Sequence, residues 1–121
     1  MSLVIDALRC HAAATPDRIA LDDHNERLTF AALLEAAETL ATRLRQRSPN
    51  AIGIVADNGA GWILTDLAAM IAQIPIIPLP LFASAEQLQH AIRSAGIDYV
   101  VTAHQDRVCE ALPAGTHITL S

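Results

Sequence analysis

Three short apolar runs, Ala51–Ala56, Ile74–Leu79 and Tyr99–Thr102, are separated by stretches whose apolar side chains recur at helical spacing. That alternation limits the fold more than any other feature. A strand-length run that is apolar at every position buries both faces, as central strands of parallel sheets do. Parallel neighbours also need a crossover of a dozen or more residues, and helix-length segments supply it here. At 121 residues the chain suits a single domain. The expected class is α/β: a mostly parallel sheet with flanking helices and a small N-terminal hairpin, with residues 1–121 as one segment.

The elements follow from local signals. Leu3–Ala14 reads as a helix with Leu3, Ala7, Leu8 and His11 inward, stopped by Thr15-Pro16. Ile19–Leu21 and Arg27–Thr29 flank a polar turn and are expected to pair as a hairpin. Thr29 is placed to cap a helix over Phe30–Arg47 whose inward face is Leu33, Ala37, Leu40, Ala41 and Leu44. Glu35 and Glu38 come early in that helix and Arg43, Arg45 and Arg47 late, which suits its dipole. Asp57 or Asn58 is expected to cap the next helix, through Trp62, Leu64, Leu67, Ala68 and Ile71. The Ile74–Leu79 run is expected to be buried on both faces, although Pro75 within it implies an edge, a bulge or a different entry. Ser84 and Gln87 form a capping box for a helix burying Leu88, Ala91, Ile92 and Ala95, with Gly96 as its stop. Asp106–Leu112 reads as a short helix and His117–Leu120 as a last strand. A chain stopping just after a strand is expected to be a fragment of a larger lobe.

Composition removes whole classes of function. Hydrophobic residues make up 52% and the net charge is −5, which excludes intrinsic disorder. With 8 basic side chains against 13 acidic ones, no basic field exists to attract nucleic acid. All the basic side chains are arginine, so Schiff-base chemistry and a phosphate-loop lysine are both excluded. Cys10 and Cys109 lie near opposite ends and read as reduced thiols of a cytosolic protein. The N-terminus lacks a basic region and Asp6 interrupts its apolar run, so it is not a signal peptide. The most apolar stretch, Leu67–Phe82, falls short of the roughly 20 residues a membrane span needs and contains Pro75, Pro78 and Pro80. A soluble, cytoplasmic chain is expected.

Candidate chemistry is sparse. Asp57-Asn58-Gly59-Ala60-Gly61 follows a strand and opens a helix, where a phosphate loop would sit. A dinucleotide fingerprint would need glycine at position 64, which is Leu64. Asp22, Asp23, Asp57 and Thr102 resemble the acidic pocket of a receiver domain, the competing reading, in which Asp57 accepts a phosphoryl group beside Mg²⁺. That pocket also needs a lysine, and the turn over Asp22–Asn25 looks more like a hairpin than a strand–helix loop. His11, His24, His90, His104 and His117 show no metal-ligand spacing, and there is no GxSxG. No catalytic, cofactor-binding or metal-binding residue is assigned.

The order of short motifs resembles one family. His11-Ala12, Thr15–Leu21 and Leu28–Leu33 look like the start of the adenylate-forming, AMP-binding superfamily, which includes acyl-CoA synthetases, peptide-synthetase adenylation domains and luciferases. Ile52–Gly59 with Trp62, then Ala69–Leu79, then Leu88, Ile92, Ala95-Gly96 and Tyr99–Thr102 resemble later pieces in the family's order. Gln73 stands where the family often has glycine, and no arginine follows Pro80 where many members carry one. The resemblance implies the N-terminal segment of a ligase, acyl-CoA-synthetase-like and set in fatty acid metabolism. Such a ligase uses ATP, Mg²⁺ and a carboxylic acid, with CoA or a carrier thiol as acceptor. The motifs that perform this chemistry lie downstream in the family, so the segment is expected to be scaffold, not catalytic alone, and to bind no cofactor itself. Its expected partners are the remainder of the parent ligase and, through exposed apolar surface, other copies of itself.

Overall fold

In chain order the elements are α1 (Leu3–Ala14), β1 (Ile19–Asp22), β2 (Arg27–Thr29), α2 (Phe30–Arg47), β3 (Ile52–Val55), α3 (Ala60–Ala72), β4 (Ile76–Pro78), α4 (Ala85–Ser94), β5 (Tyr99–Thr102) and β6 (His117–Thr119). The computed structural model describes residues 3–23, 26–55, 59–80, 82–102 and 117–119, the last as backbone only. The expected helix at Asp106–Leu112 and the end of the last strand at Leu120 lie outside them. The class is mixed α/β, with helices, a parallel sheet and a small antiparallel hairpin.

One unit holds α1, the β1–β2 hairpin, α2 and α3. The hairpin pairs Asp22 with Arg27 and Leu21 with Leu28, with an irregularity between Ile19 and Leu21. Asp23 closes its turn twice: its N–H donates to Glu26 O at 2.9 Å, and its Oδ1 accepts the Glu26 N–H at 2.7 Å. The chain passes directly into α2, where Thr29 Oγ1 accepts the Ala32 N–H at 3.1 Å, the expected cap. The core of this unit is Ile5 and Leu8 of α1, Leu33 and Ala37 of α2, and Leu67 of α3. Leu33, Ala37, Ala41 and Leu44 form the buried stripe of α2, while Leu40 is half-buried. The expected face of α1 needs correction. Leu3, Ala7 and His11 are exposed, and the helix instead turns Ile5 and Leu8 inward, an i, i+3 pair on one face.

The other unit holds the parallel sheet, in the order β4-β3-β5-β6, together with α4. β3 pairs on one side with β4 (Ile52 opposite Ile76) and on the other with β5 (Ile52 opposite Tyr99). Both central strands are buried throughout. The prediction for Ile74–Leu79 is corrected. Only Ile76–Pro78 is strand, it lies on the outside of the described sheet, and it is at most half-buried. Pro75 O accepts the Ile52 N–H at 2.8 Å and the Leu79 N–H donates to Ile54 O at 2.8 Å, so positions 75 and 79 face β3. Position 78 then faces away, and the N–H that proline lacks is one the ladder never uses.

α4 opens with both halves of the capping box: Gln87 N–H to Ser84 Oγ at 3.2 Å, and Ser84 N–H to Gln87 Oε1 at 2.9 Å. It closes with Gly96 at φ 67°, donating its N–H to Arg93 O at 3.3 Å, while the Ile97 N–H reaches Ile92 O at 3.0 Å. That pair of bonds is a Schellman cap. Leu88 and Ile92 are buried against Val55, Leu79, Ile97 and Val100, whereas Ala95, expected inside, is exposed because the helix has ended before it.

Candidate functional site

The turn into α3 was the one place where the sequence could have built a phosphate cradle. Gly59 is its N-cap, with extended backbone and no side-chain cap bond. Neither Asp57 nor Asn58 is the cap, and both lie outside the described residues. The acceptor comes from the hairpin instead. Asp23 Oδ2 takes the N–H of Ala60, the first residue of α3, at 2.8 Å. A carboxylate at a helix N-terminus is favourable for the same reason that a phosphate would be. Here that position is already filled from within, and a Cβ on Gly59 would stand 3.2 Å from the same oxygen. The Asp23 carboxylate therefore serves a turn on one oxygen and a helix on the other. The pattern of acids suggests metal chemistry for Asp23, and this role has no local signal because the bond spans 37 residues.

Replacing Asp23 by alanine is expected to lower stability by about 1–2 kcal/mol, because one cap and one turn acceptor are lost together. A urea midpoint equal to that of the unmodified chain would refute the role.

Asp22 serves the hairpin. Asp22 pairs with Arg27 at 3.3 Å, and both side chains are more than half exposed, so the pair adds little. Asp22 and Asp23 belong to the hairpin, not to the parallel sheet whose β5 ends in buried Thr102. Among the described residues no group of three or more His, Cys, Asp or Glu is arranged to hold a metal. His11 stacks on Phe30 with ring centroids 4.9 Å apart, His90 lies 3.4 Å from Ser94 Oγ, and Cys10 is a free, exposed thiol. His24, His104 and Cys109 lie outside the described residues. The chain has no lysine, and the turn that opens α3 is occupied by the Asp23 carboxylate.

Two further features escaped the sequence. The Asp98 carboxylate accepts the Asn50 N–H at 3.0 Å while the Asp98 N–H donates to Ala51 O at 3.3 Å, which sets the start of β3 beside the start of β5. Gln73, at φ 60° and ψ 45°, ends α3 in the left-handed conformation that glycine adopts without a steric cost. The family's frequent glycine at this point has a physical reason here. Gln73→Gly is expected to stabilise the chain by up to about 1 kcal/mol, read as a higher thermal midpoint.

Comparison with known proteins agrees with this architecture. The AMP-binding enzyme family matches residues 8–120, and the chain belongs to that family. It is 33% identical over 101 residues to the nonribosomal peptide synthetase kk1B of Curvularia clavata, which covers 81% of this chain and 1% of that protein. The nonribosomal peptide synthetase FmoA3, in its alpha-methyl-L-serine-AMP bound form, superposes with a TM-score of 0.85 at 25% identity, covering 98% of this chain and 14% of FmoA3. The O-succinylbenzoate coenzyme A synthetase MenE of Bacillus subtilis, in complex with AMP, shares the fold with a TM-score of 0.77 at 22% identity, covering 93% of this chain and 30% of MenE. The chain thus spans a small part of each. Among the described residues no helix is long and apolar enough to cross a membrane.

Proposed function

We propose that this chain is the N-terminal part of an adenylate-forming ligase that activates an amino acid as its acyl-adenylate and passes it to a carrier-bound thiol. The observation that carries this reading is the superposition on FmoA3 over 98% of the chain at 25% identity, from a structure holding an aminoacyl-AMP. The motif resemblance alone implies acyl-CoA synthesis. The peptide synthetase relatives support an amino acid in place of a fatty acid, and a carrier thiol in place of CoA. Residues 1–121 act as scaffold: they contain no lysine, and the turn that opens α3 is internally satisfied. Leu3, Val4, Ile19, Ile63 and Phe82 are large apolar side chains left exposed, Phe82 at 88%. In this reading the remainder of the parent covers them, and in its absence they promote self-association.

The test is ATP-dependent hydroxamate formation by the parent polypeptide, offered a panel of amino acids and a panel of fatty acids. Turnover with amino acids, and none by residues 1–121 alone, is the expected result. Turnover with fatty acids only would overturn the substrate class, and turnover by the short chain would overturn the scaffold role.

A further inference from the structure

α1 is apolar on two opposite sides. Ile5 and Leu8 are buried in the core shared with α2 and α3, yet Leu3, Ala7, Cys10 and Ala14 are all exposed. Their spacing keeps these four in one stripe, on the far side of the helix from Ile5 and Leu8. Leu3 is 85% exposed, and Val4 beside it 52%.

The spacing is that of a two-stranded coiled-coil seam, with Leu3 and Cys10 at d positions and Ala7 and Ala14 at a positions. In a parallel pair, a and d side chains meet their own copies, and each g position reaches the next e position of the other helix. Asp6 is that g position and His11 that e position, so a carboxylate meets an imidazole on both sides of the seam. The His11 ring is held in place by its stack on Phe30. Neither the Asp6 carboxylate nor a His11 ring nitrogen has a hydrogen-bond or ionic partner among the described residues. An antiparallel pair would bring g to g, setting acid beside acid. A free peptide of this length would not hold a helix in water, but α1 is already seated by Ile5 and Leu8, so pairing orders no new backbone. Two heptads bury less than the roughly 1,200 Å² of a standard stable interface, so the pair is weak and reversible.

We propose that the outward stripe of α1 is a self-recognition seam. Two copies of this chain pair through parallel α1 helices, Cys10 facing Cys10 and Asp6 meeting His11 of the partner subunit. This gives the self-association of the reading above a defined contact, and it rests on that part of the reading, not on the parent's reaction.

The test uses the 121-residue chain carrying Cys109→Ser, which leaves Cys10 as its only thiol. Diamide, which takes up the two electrons and two protons released as a disulfide forms, cross-links it, and sedimentation reports association without the reagent. Cys10 is expected to cross-link at least about tenfold faster than the thiol of a Cys10→Ser, Arg9→Cys chain, which sits off the seam. An Ala7→Cys, Cys10→Ser chain should match Cys10, because both positions meet their own copies. Leu3→Glu is expected to weaken association about tenfold and to leave the helix intact, since a carboxylate suits a first turn. Asp6→Arg is expected to weaken it about threefold, and His11→Glu added to it to restore it. Phe82→Ser, in the other unit, should change nothing. Equal cross-linking at positions 9 and 10, or equal losses from F82S and L3E, would reduce the seam to unspecific apolar contact. Fast cross-linking only between mixed chains with thiols at 7 and 10 would mean an antiparallel pair. Both results would overturn the seam and keep self-association. A chain that stays monomeric at millimolar concentration would overturn both, and leave the stripe to the remainder of the parent.

Discussion

A Gly53→Val chain is expected to lose about 2–4 kcal/mol of stability and to unfold at a correspondingly lower urea midpoint. Gly53 lies in β3 between the paired strands β4 and β5, where β-propensity alone would favour valine by at most about 1 kcal/mol. Packing decides the sign. Even a Cβ there would stand 2.9 Å from Leu79 Cδ1 and 3.2 Å from Ile97 Cγ2, and valine adds two methyl groups to that first atom. Leu79 and Ile97 are both buried in the same cluster, so neither has free space to retreat into. A double-mutant cycle gives the sharper reading. Gly53→Ala combined with Leu79→Ala should cost clearly less than the sum of the two single changes, because each removes the other's conflict. Additive losses would mean that the close approach of Leu79 is not what keeps position 53 glycine.

Ile92→Ala is expected to cost about 2–4 kcal/mol, measured by the same urea titration. Ile92 is 1% exposed and packs with Leu88 into the cluster that also contains Val55 and Val100 of the central strands. Its carbonyl, which accepts the Ile97 N–H in the helix-ending motif, is untouched by the substitution, so the loss reports side-chain packing alone. Arg93→Ala, one residue along and exposed, should stay within about 0.5 kcal/mol of the unmodified chain. Equal effects at the two positions would mean that α4 is not seated on the sheet by Ile92.

Where the sequence spoke through nearest-neighbour chemistry, the fold was legible. The Thr29 cap, the Ser84–Gln87 box and the Gly96 stop are all local, and each is where it was expected. The all-apolar runs at β3 and β5 marked central parallel strands because both faces of such strands must be apolar. Failures came where a contact spans many residues. Nothing near Ala60 indicates that its N–H will be met by Asp23, nor does Asn50 show that Asp98 will receive its N–H. The inward face of α1 was misplaced because Leu3, Val4, Ile5, Ala7 and Leu8 offer apolar residues on several faces, and only packing against α2 and α3 selects Ile5 and Leu8.

The proline of β4 has a consequence beyond the chain itself. An unpaired sheet margin normally templates the backbone of another molecule, one amide after the next, and that is how cross-β aggregates begin. On the outward side of Ile76–Pro78 an arriving strand would find the Ile76 N–H as its sole donor, followed by a proline ring. A hydrogen-bonded ribbon cannot propagate across that gap. Although this margin of the sheet is rich in isoleucine, polymer growth along it would stall within one residue pair.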